Sequence, residues 1–479
     1  MFKKVLNFLL KNLHEEQRIV KNSFWIALSR FGGSLCRAIL VIYAFRILGP
    51  SLQGSFSLAM NFVLIFSFIP EFGLTAILIR ELIKNKNGKK EILANSFFAV
   101  FFLIIFSLIF INLTKIIFIK DNLAKTLILT LSVFLVFDTL REFLYALFRV
   151  KEKMELQALS HLVTNFSLLL SGILFLNLNP HPYSLAQAYL LSTSLGFILT
   201  VLLLNKEIAF NYLNFFKIRI ILSLLNKSWP IGIANFLFLI VTYLDSLIIG
   251  WFHSSKEVGL YNSVVKLSEF LYFLPTAVAM SVFPILSRKE IEKFKETISF
   301  AFQISILISL PILGGLILLA KEVILFIFGK EYITAYPALQ LISLSIPFNF
   351  ILLVLVDALI ALDKRKELLI YDIFIVMINF LLNIIFVPQY SYYASSAITS
   401  LSSFLSVIFA YLILKRYTDI DFKNIKIIRY ILGTILMTLI VYLMPFNLIF
   451  KVIIGVLIYL GFLIISKDPL FLKLKEHRF

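Results

Sequence analysis

Residues 93–114 read LANSFFAVFFLIIFSLIFINLT, twenty-two positions with six phenylalanines and no charged side chain. At about 1.5 Å per residue a helix of this stretch is roughly 33 Å long, enough for the hydrocarbon core of a bilayer. Without water, only a helix satisfies every N–H and C=O of such a segment internally. Comparable runs recur near 22–47, 55–79, 124–148, 157–177, 185–204, 227–251, 259–286, 297–320, 336–361, 368–387, 394–414, 428–445 and 448–466. Short alternating segments of the β-barrel kind are not seen. The fold expected is therefore an all-α integral membrane protein of about fourteen transmembrane helices.

Composition agrees with lipid as the main solvent: 60% of residues are hydrophobic and 15% charged, against about half and a quarter in soluble domains. The formal net charge of +18 does not point to nucleic acid, because the cations alternate between loops. Segments on the side of the N-terminus hold 33 Lys and Arg, and the opposite loops hold 7. By the positive-inside rule both termini are expected in the cytoplasm. Residues 1–21 read as an amphipathic helix on the membrane surface, with Phe2, Leu6, Leu9, Leu10 and Leu13 on its apolar face. That stretch is too charged for a cleavable signal peptide. Cys36 is the only cysteine, which excludes an intrachain disulfide and a zinc site of paired cysteines.

An internal duplication is expected. A shift of 205 places Ser23 on Ser228, Gly54 on Gly259, Phe68–Pro70 on Phe273–Pro275 and Lys90–Glu91 on Lys295–Glu296. Further on the shift is 212, pairing Ala146–Leu147 with Ala358–Leu359 and Glu155–Leu156 with Glu367–Leu368. The register implies two pseudo-symmetric six-helix lobes, residues 22–204 and 227–414, joined by a cytoplasmic linker, 205–226. A C-terminal hairpin, 428–466, and a cytoplasmic tail, 467–479, complete the chain. Two such lobes with a cavity between them are the plan of a transporter.

Ionisable residues inside a membrane are costly and face a partner or a cavity. Arg30 and Arg37 lie two turns apart on one face of the first span, with Ser34 between them and Gly32–Gly33 allowing close approach. They either pair with an acid on a neighbouring helix or present two guanidinium forks to a phosphate or carboxylate. In Pro70-Glu71-Phe72-Gly73 a carboxylate sits beside an expected helix bend. Glu71 would pair with Arg30 or Arg37, titrate as a coupling site, or both. The fourth span carries Asp138, Arg141, Glu142 and Tyr145, with Glu142 paired locally. The second lobe offers Asp245, Lys266, Glu269 and Asp357 within its spans, and Lys266 and Glu269 are spaced to pair. The candidate substrate-binding cations are thus Arg30, Arg37, Arg141 and Lys266. The candidate coupling or charge-balancing acids are Glu71, Asp138, Asp245 and Glu269. No Gly-rich loop ends in Gly-Lys-Ser/Thr, and no metalloprotease helix or Gly-x-Ser-x-Gly occurs. No catalytic, metal or cofactor site is expected.

Asn22-Ser23-Phe24-Trp25, Leu48-Gly49-Pro50 with Gly54, Glu71-Phe72-Gly73-Leu74 with Arg80-Glu81, and the Phe148-Arg149 to Met154 turn resemble the polysaccharide transporter (Wzx, O-antigen flippase) family. That family belongs to the superfamily of multidrug, oligosaccharidyl-lipid and polysaccharide exporters. The resemblance implies a V-shaped pair of bundles working by alternating access on an undecaprenyl-pyrophosphate-linked oligosaccharide, for O-antigen or lipopolysaccharide assembly. It also implies membrane lipids, a glycan polymerase and glycosyltransferases as partners, and cavity cations at positions such as Arg30 and Arg37. Ser29, Arg30 and Gly33 and the extra hairpin are similar to the lipid II flippases, so a peptidoglycan precursor stays open as cargo. A cation-coupled multidrug exporter shares the fold, but a cavity for cationic drugs would be built of acids and aromatics. A glycan polymerase or ligase would need long outer loops, which the chain lacks.

Overall fold

The computed structural model describes residues 15–85, 88–208, 211–286, 291–418 and 427–468, and among them there are helices and turns but no strand. The apolar face expected at Phe2 to Leu13 lies outside the described residues, as does the tail beyond residue 468. Contacts divide the chain into two compact units, Met1–Gly259 and Leu260–Phe479.

The first unit opens with α1 (Glu15–Ile65), α2 (Phe68–Glu71) and α3 (Leu74–Lys84). It continues through α4 (Lys89–Phe118), α5 (Asn122–Val150), α6 (Met154–Leu178), α7 (Pro182–Leu203) and α8 (Ile218–Phe252). At 51 residues α1 is more than twice the length of a bilayer crossing, and it is broken at Gly49. There φ is 68° and ψ is 172°, a backbone that glycine adopts freely, and Pro50 follows without an N–H to donate. A second break separates α2 from α3, where Phe72 and Gly73 are both left-handed, at φ 32° and 72°. This is the bend expected beside Glu71. It is seated on α8: Gly73 lies against Ser228 and Ile231, and Gly232 lies against Phe72.

Local chemistry sets the other helix starts. Asp121 caps α5 by accepting from the amides of Leu123 (2.8 Å) and Ala124 (3.3 Å). The same carboxylate accepts from the hydroxyls of Ser55 and Ser255, tying α1 and the turn after α8 to α5. Burial pushes this carboxyl up, and the bonds from Ser255, Ser55 and the two amides outweigh it, holding Asp121 below the usual carboxylate range. His181 caps α7 ahead of Pro182 at its first turn. α8 starts at Ile218, nine residues before the expected span, because Asn95 of α4 receives the Lys217 amide at 2.7 Å and fixes the helix start there.

The chain continues with α9 (Ser255–Leu271), whose first residues belong to the first unit, then α10 (Phe273–Leu286) and α11 (Ile291–Ile327). After these come α12 (Tyr336–Ser343), α13 (Ser345–Ala361), α14 (Arg365–Lys415), α15 (Ile427–Leu443) and α16 (Leu448–Ile465). α14, again 51 residues, breaks at Ser391, three residues after Pro388. Its two halves are laced together by Asn379 to Ser402 (3.3 Å) and Ser395 to Asn383 (2.7 Å), with Asn383 also donating to Asn379 (3.1 Å) within the first half. The hairpin α15–α16 packs on α11, where Tyr459 donates to the Leu307 carbonyl at 2.9 Å and Lys451 pairs with Glu322 at 2.7 Å.

Among the described residues ten helical segments are long and apolar enough to cross a membrane, or eleven if the pair bent by 41° around Leu344 is one span. The expected count of about fourteen is not met segment by segment. Residues 17–84 and 366–415 each take in two expected spans, and Ile427–Leu443, at 17 residues, is a shorter apolar helix. Large apolar side chains such as Phe101, Phe102, Phe106, Ile109 and Leu113 are exposed along one flank of α4. Soluble monomers do not show so continuous an apolar surface, and here it faces lipid. The protein is a multi-pass membrane protein.

Close helix contacts rely on small residues, as expected where lipid gives no hydrophobic drive between helices. A methyl group on Gly54 would overlap the Ser255 carbonyl, and one on Gly259 the Pro50 carbonyl, so these two backbones touch directly. Gly315 of α11 has open space around it. Gly54→Ala should therefore destabilise the purified protein by about 1–3 kcal/mol or more, read as a lower thermal midpoint and a poorer monodisperse yield. Gly315→Ala should be neutral or slightly stabilising.

Candidate functional site

The first half of α1 is fastened to α6. Gly33 packs against His161 and Asn165, Gly32 against Leu162, and Leu40 fills the space left by Gly172. His161 Nδ1 lies 3.1 Å from the Ser29 carbonyl, and Asn165 donates to the His161 carbonyl at 2.7 Å. This anchorage fixes the rotation and height of α1. It leaves Arg30, Ser34 and Arg37 exposed. The two arginines stand about 10 Å apart along the axis and about 20° apart around it. Among the described residues no carboxylate pairs with either, although ion pairs form elsewhere in the unit: Lys21 with Glu155 at 2.9 Å and Lys227 with Glu81 at 2.9 Å. Of the two readings left open by the sequence, the described residues hold no acid that pairs with Arg30 or Arg37.

Arg141 has the opposite setting. Its guanidinium is buried, 2.6 Å from Asp138 and 3.4 Å from Glu142, and it stacks over the Tyr145 ring at 5.6 Å. Arg149 approaches Glu142 at 3.8 Å. Tyr145 donates to Ser160 at 3.0 Å, which in turn meets Thr200 at 2.8 Å. α5, α6 and α7 are thus joined through one polar seam. Glu71, half-buried at the α2–α3 break, is brought to the side of Asp138 and Glu142. Among the described residues no cation pairs with it. Two carboxylates therefore pair with one buried arginine.

The remaining sequence candidates lie elsewhere. Asp245 is buried in α8. Lys266 and Glu269 pair with each other at 2.7 Å on α9, both about a third exposed. Neither is part of the α1–α5 cluster. Two polar nodes escaped the reading of the sequence: Asp121 with Ser55 and Ser255, and the asparagine and serine lacing of α14. The first had a signal in an acid just before an apolar run, an N-cap pattern. The second had one in Asn379 and Asn383, four apart in an otherwise apolar helix. Among the described residues no group of three or more His, Cys, Asp or Glu side chains is placed to hold a metal ion.

A multi-pass helical protein with breaks near the middle of its first and penultimate long helices has clear structural counterparts. Lipid II flippase MurJ in its inward closed conformation superposes with a TM-score of 0.78 at 20% identity, over 94% of this chain and 99% of that one. An inward-facing multidrug resistance transporter of the MATE family superposes with a TM-score of 0.66 at 15% identity, over 81% and 96%. At such identities the likeness is one of fold. In sequence, the polysaccharide biosynthesis protein family matches residues 19–290, more than half of the chain, and the MatE family matches residues 230–385. The chain belongs to the polysaccharide biosynthesis protein family. Two relatives come from Haloferax volcanii. The probable flippase AglR is 26% identical over 176 residues, 35% of this chain and 37% of its own. The probable low-salt glycan biosynthesis flippase Agl15 is 22% identical over 190 residues, 39% and 40%. The chain thus spans well under half the length of these relatives in the matched regions.

Removing the buried cation should be far more damaging than removing either exposed one. Arg141→Gln leaves Asp138 without its partner and Glu142 with Arg149 alone, and is expected to cost about 3–5 kcal/mol, while Arg30→Ala and Arg37→Ala leave the thermal midpoint near that of the parent. Adding Asp138→Asn or Glu71→Gln to Arg141→Gln should recover part of the loss in the same thermal assay, because each removes one of the crowded acids.

Proposed function

We propose that this protein moves an undecaprenyl-pyrophosphate-linked oligosaccharide from the cytoplasmic to the outer leaflet, as a transporter with no chemistry on its cargo. The observation that carries the reading is the pair Arg30 and Arg37, exposed on α1 and, among the described residues, without an acid partner. Uncompensated cations at the depth of a span are expensive unless they serve a ligand. Two guanidinium forks on one face suit a ligand with several anionic oxygens. Family membership and the flippase relatives support a lipid-linked glycan over a cationic drug.

In this mechanism the arginines take over the phosphate charge from water while the polyprenyl tail stays in lipid, which lowers the cost of burying the anion. Arg141, held by Asp138 and Glu142, keeps α5 in place, and Glu71 belongs to the same charge-balancing network. Lys266, Glu269 and Asp245 are assigned to the corresponding polar positions of the second lobe, and alternating access of the two lobes carries the head group across. The setting is the inner membrane of a prokaryote, beside the glycosyltransferases and glycan polymerase of a surface-polysaccharide pathway such as O-antigen assembly.

In vesicles, flipping of a fluorescent lipid-linked sugar should fall by roughly ten- to hundredfold in Arg30→Ala and in Arg37→Ala, since a charge-assisted bond lost at each contributes about 1.5–3 kcal/mol. Arg→Lys keeps charge without the fork and should retain partial transport. Normal flipping by the double Ala variant, at normal protein level, would move the anion site elsewhere.

The orientation follows from 33 basic residues on one side against 7 on the other. In a Cys36→Ala background, Asn214→Cys should be shielded from a membrane-impermeant thiol reagent added outside intact cells, and Lys256→Cys should be labelled. Outside labelling at 214 would reverse the topology.

A further inference from the structure

Arg30 and Arg37 are separated by Gly32-Gly33-Ser34, the part of α1 least able to hold its own shape. Glycine weakens a helix relative to alanine, and Gly and Ser together are where long helices kink. A bend or twist there changes the angle between the two arginines directly. The ends of the α1–α6 seam are tied far from this joint. Lys21 pairs with Glu155 at 2.9 Å, nine residues before Arg30, and Tyr43 donates to Asn177 at 2.5 Å, six residues after Arg37. These ties lie roughly 14 and 9 Å along the helix from the arginines.

At the joint itself stands His161. Its Nδ1 lies 3.1 Å from the carbonyl of Ser29, the residue before Arg30. A carbonyl only accepts, so Nδ1 carries the proton. The same ring covers Gly33, where a methyl group would come within 2.7 Å of Cε1 and 3.0 Å of Asn165 Nδ2. Asn165 is buried and donates to the His161 carbonyl at 2.7 Å. Arg30 and Arg37 are both near enough to act electrostatically on the ring. One imidazole therefore bonds the turn that precedes the glycines and packs on Gly33.

We propose that His161 is a positioning residue for the anion site: it clamps α1 across Gly32–Gly33 and so sets the angle and spacing between Arg30 and Arg37. Packing of glycine against a ring fixes closeness. The hydrogen bond adds register, since a slip of α1 by one residue would turn the arginines by about 100°. Two forks held at one angle meet a multi-oxygen anion without first losing that freedom. The inference rests on the reading of Arg30 and Arg37 as the site for the phosphate-bearing head group.

The test is initial-rate flipping of a fluorescent lipid-linked sugar by the full chain in vesicles, with KM and maximal rate separated. His161→Leu removes the donor and should raise KM about three- to tenfold, with the maximal rate little changed. His161→Asn carries an N–H where Nδ1 stood and should recover most of that loss. His161→Gln, whose amide falls at the Nε2 position, should not. In an Arg37→Ala background His161→Leu should have almost no further effect, because a lone arginine has no partner to be aligned with. A purely structural role would instead lower the thermal midpoint and add the same loss in both backgrounds. A KM for His161→Asn as high as that for His161→Leu, or full additivity with Arg37→Ala, overturns the proposal. If His161→Leu does not fold, Asn against Gln decides it, and equal KM values for those two overturn it. If Arg30→Ala and Arg37→Ala leave KM unchanged, the anion site lies elsewhere and both readings fall. If they raise KM and His161→Leu does not, this one falls alone.

Discussion

Hydrocarbon offers no hydrogen-bond partner, and this constraint decides where the chain breaks its helices. Among the described residues, the breaks with a positive φ inside long apolar segments are at Gly49, at Phe72–Gly73 and at Ser391. Each is covered by protein. Pro50, next to the first, lies against Gly259, and the Asp121 node with Ser55 and Ser255 sits about one turn further on. The second is pressed onto α8 through Gly73 and Gly232. Around the third, Tyr392 and Tyr393 both donate to the Thr334 carbonyl at 3.1 Å, and Ser395 closes onto Asn383. Side-chain hydroxyls and small residues substitute for the water that a loop would use in a soluble protein.

The same constraint sorts the charges. Arg141 is buried and has two carboxylates, Arg149 reaches one of them, and Lys266 has Glu269. Burying an ion costs several kcal/mol even after relaxation, so these pairs are the condition for having charge there at all. Arg30 and Arg37 break the pattern on a helix otherwise held tightly by α6. The anchored helix sets the spacing and the face of the two arginines, and each planar fork is itself pre-organised to meet a phosphate.

How much of this was legible depended on whether the signal was local. Helix type and membrane character follow from segments such as residues 93–114, since twenty apolar residues in lipid have one solution. The bend after Glu71 was legible from Pro70 and Gly73. The number of separate helices is smaller than the number of expected spans, because a chain can pass from one span to the next through a single left-handed residue, as at Gly49, without leaving the apolar run. The partners of the charges were only half legible. Asp138 and Arg141 pair three residues apart on one helix, a spacing visible in the sequence. The approach of Glu71 to Asp138 and Glu142 depends on how α2 and α3 fold back beside α5, which no spacing encodes. Gly54 and Gly259, matched by the 205-residue shift, are in direct contact, a meeting that the register hinted at and only coordinates reveal.

The fold by itself does not choose a cargo. Structures titled as a lipid II flippase and as a multidrug transporter share this architecture at 20% and 15% identity, so what distinguishes them must be carried by side chains that the architecture leaves free. In this chain Arg141 with Asp138 and Glu142, and Lys266 with Glu269, are committed to one another, and substituting them would disturb the scaffold before it altered recognition. The uncommitted charge on α1 is positive. A cationic ligand would have to approach two exposed guanidinium groups in a medium that screens poorly, whereas a pyrophosphate would be drawn to them. The sign of that residual charge, more than the helical frame around it, is what argues for an anionic head group as the cargo.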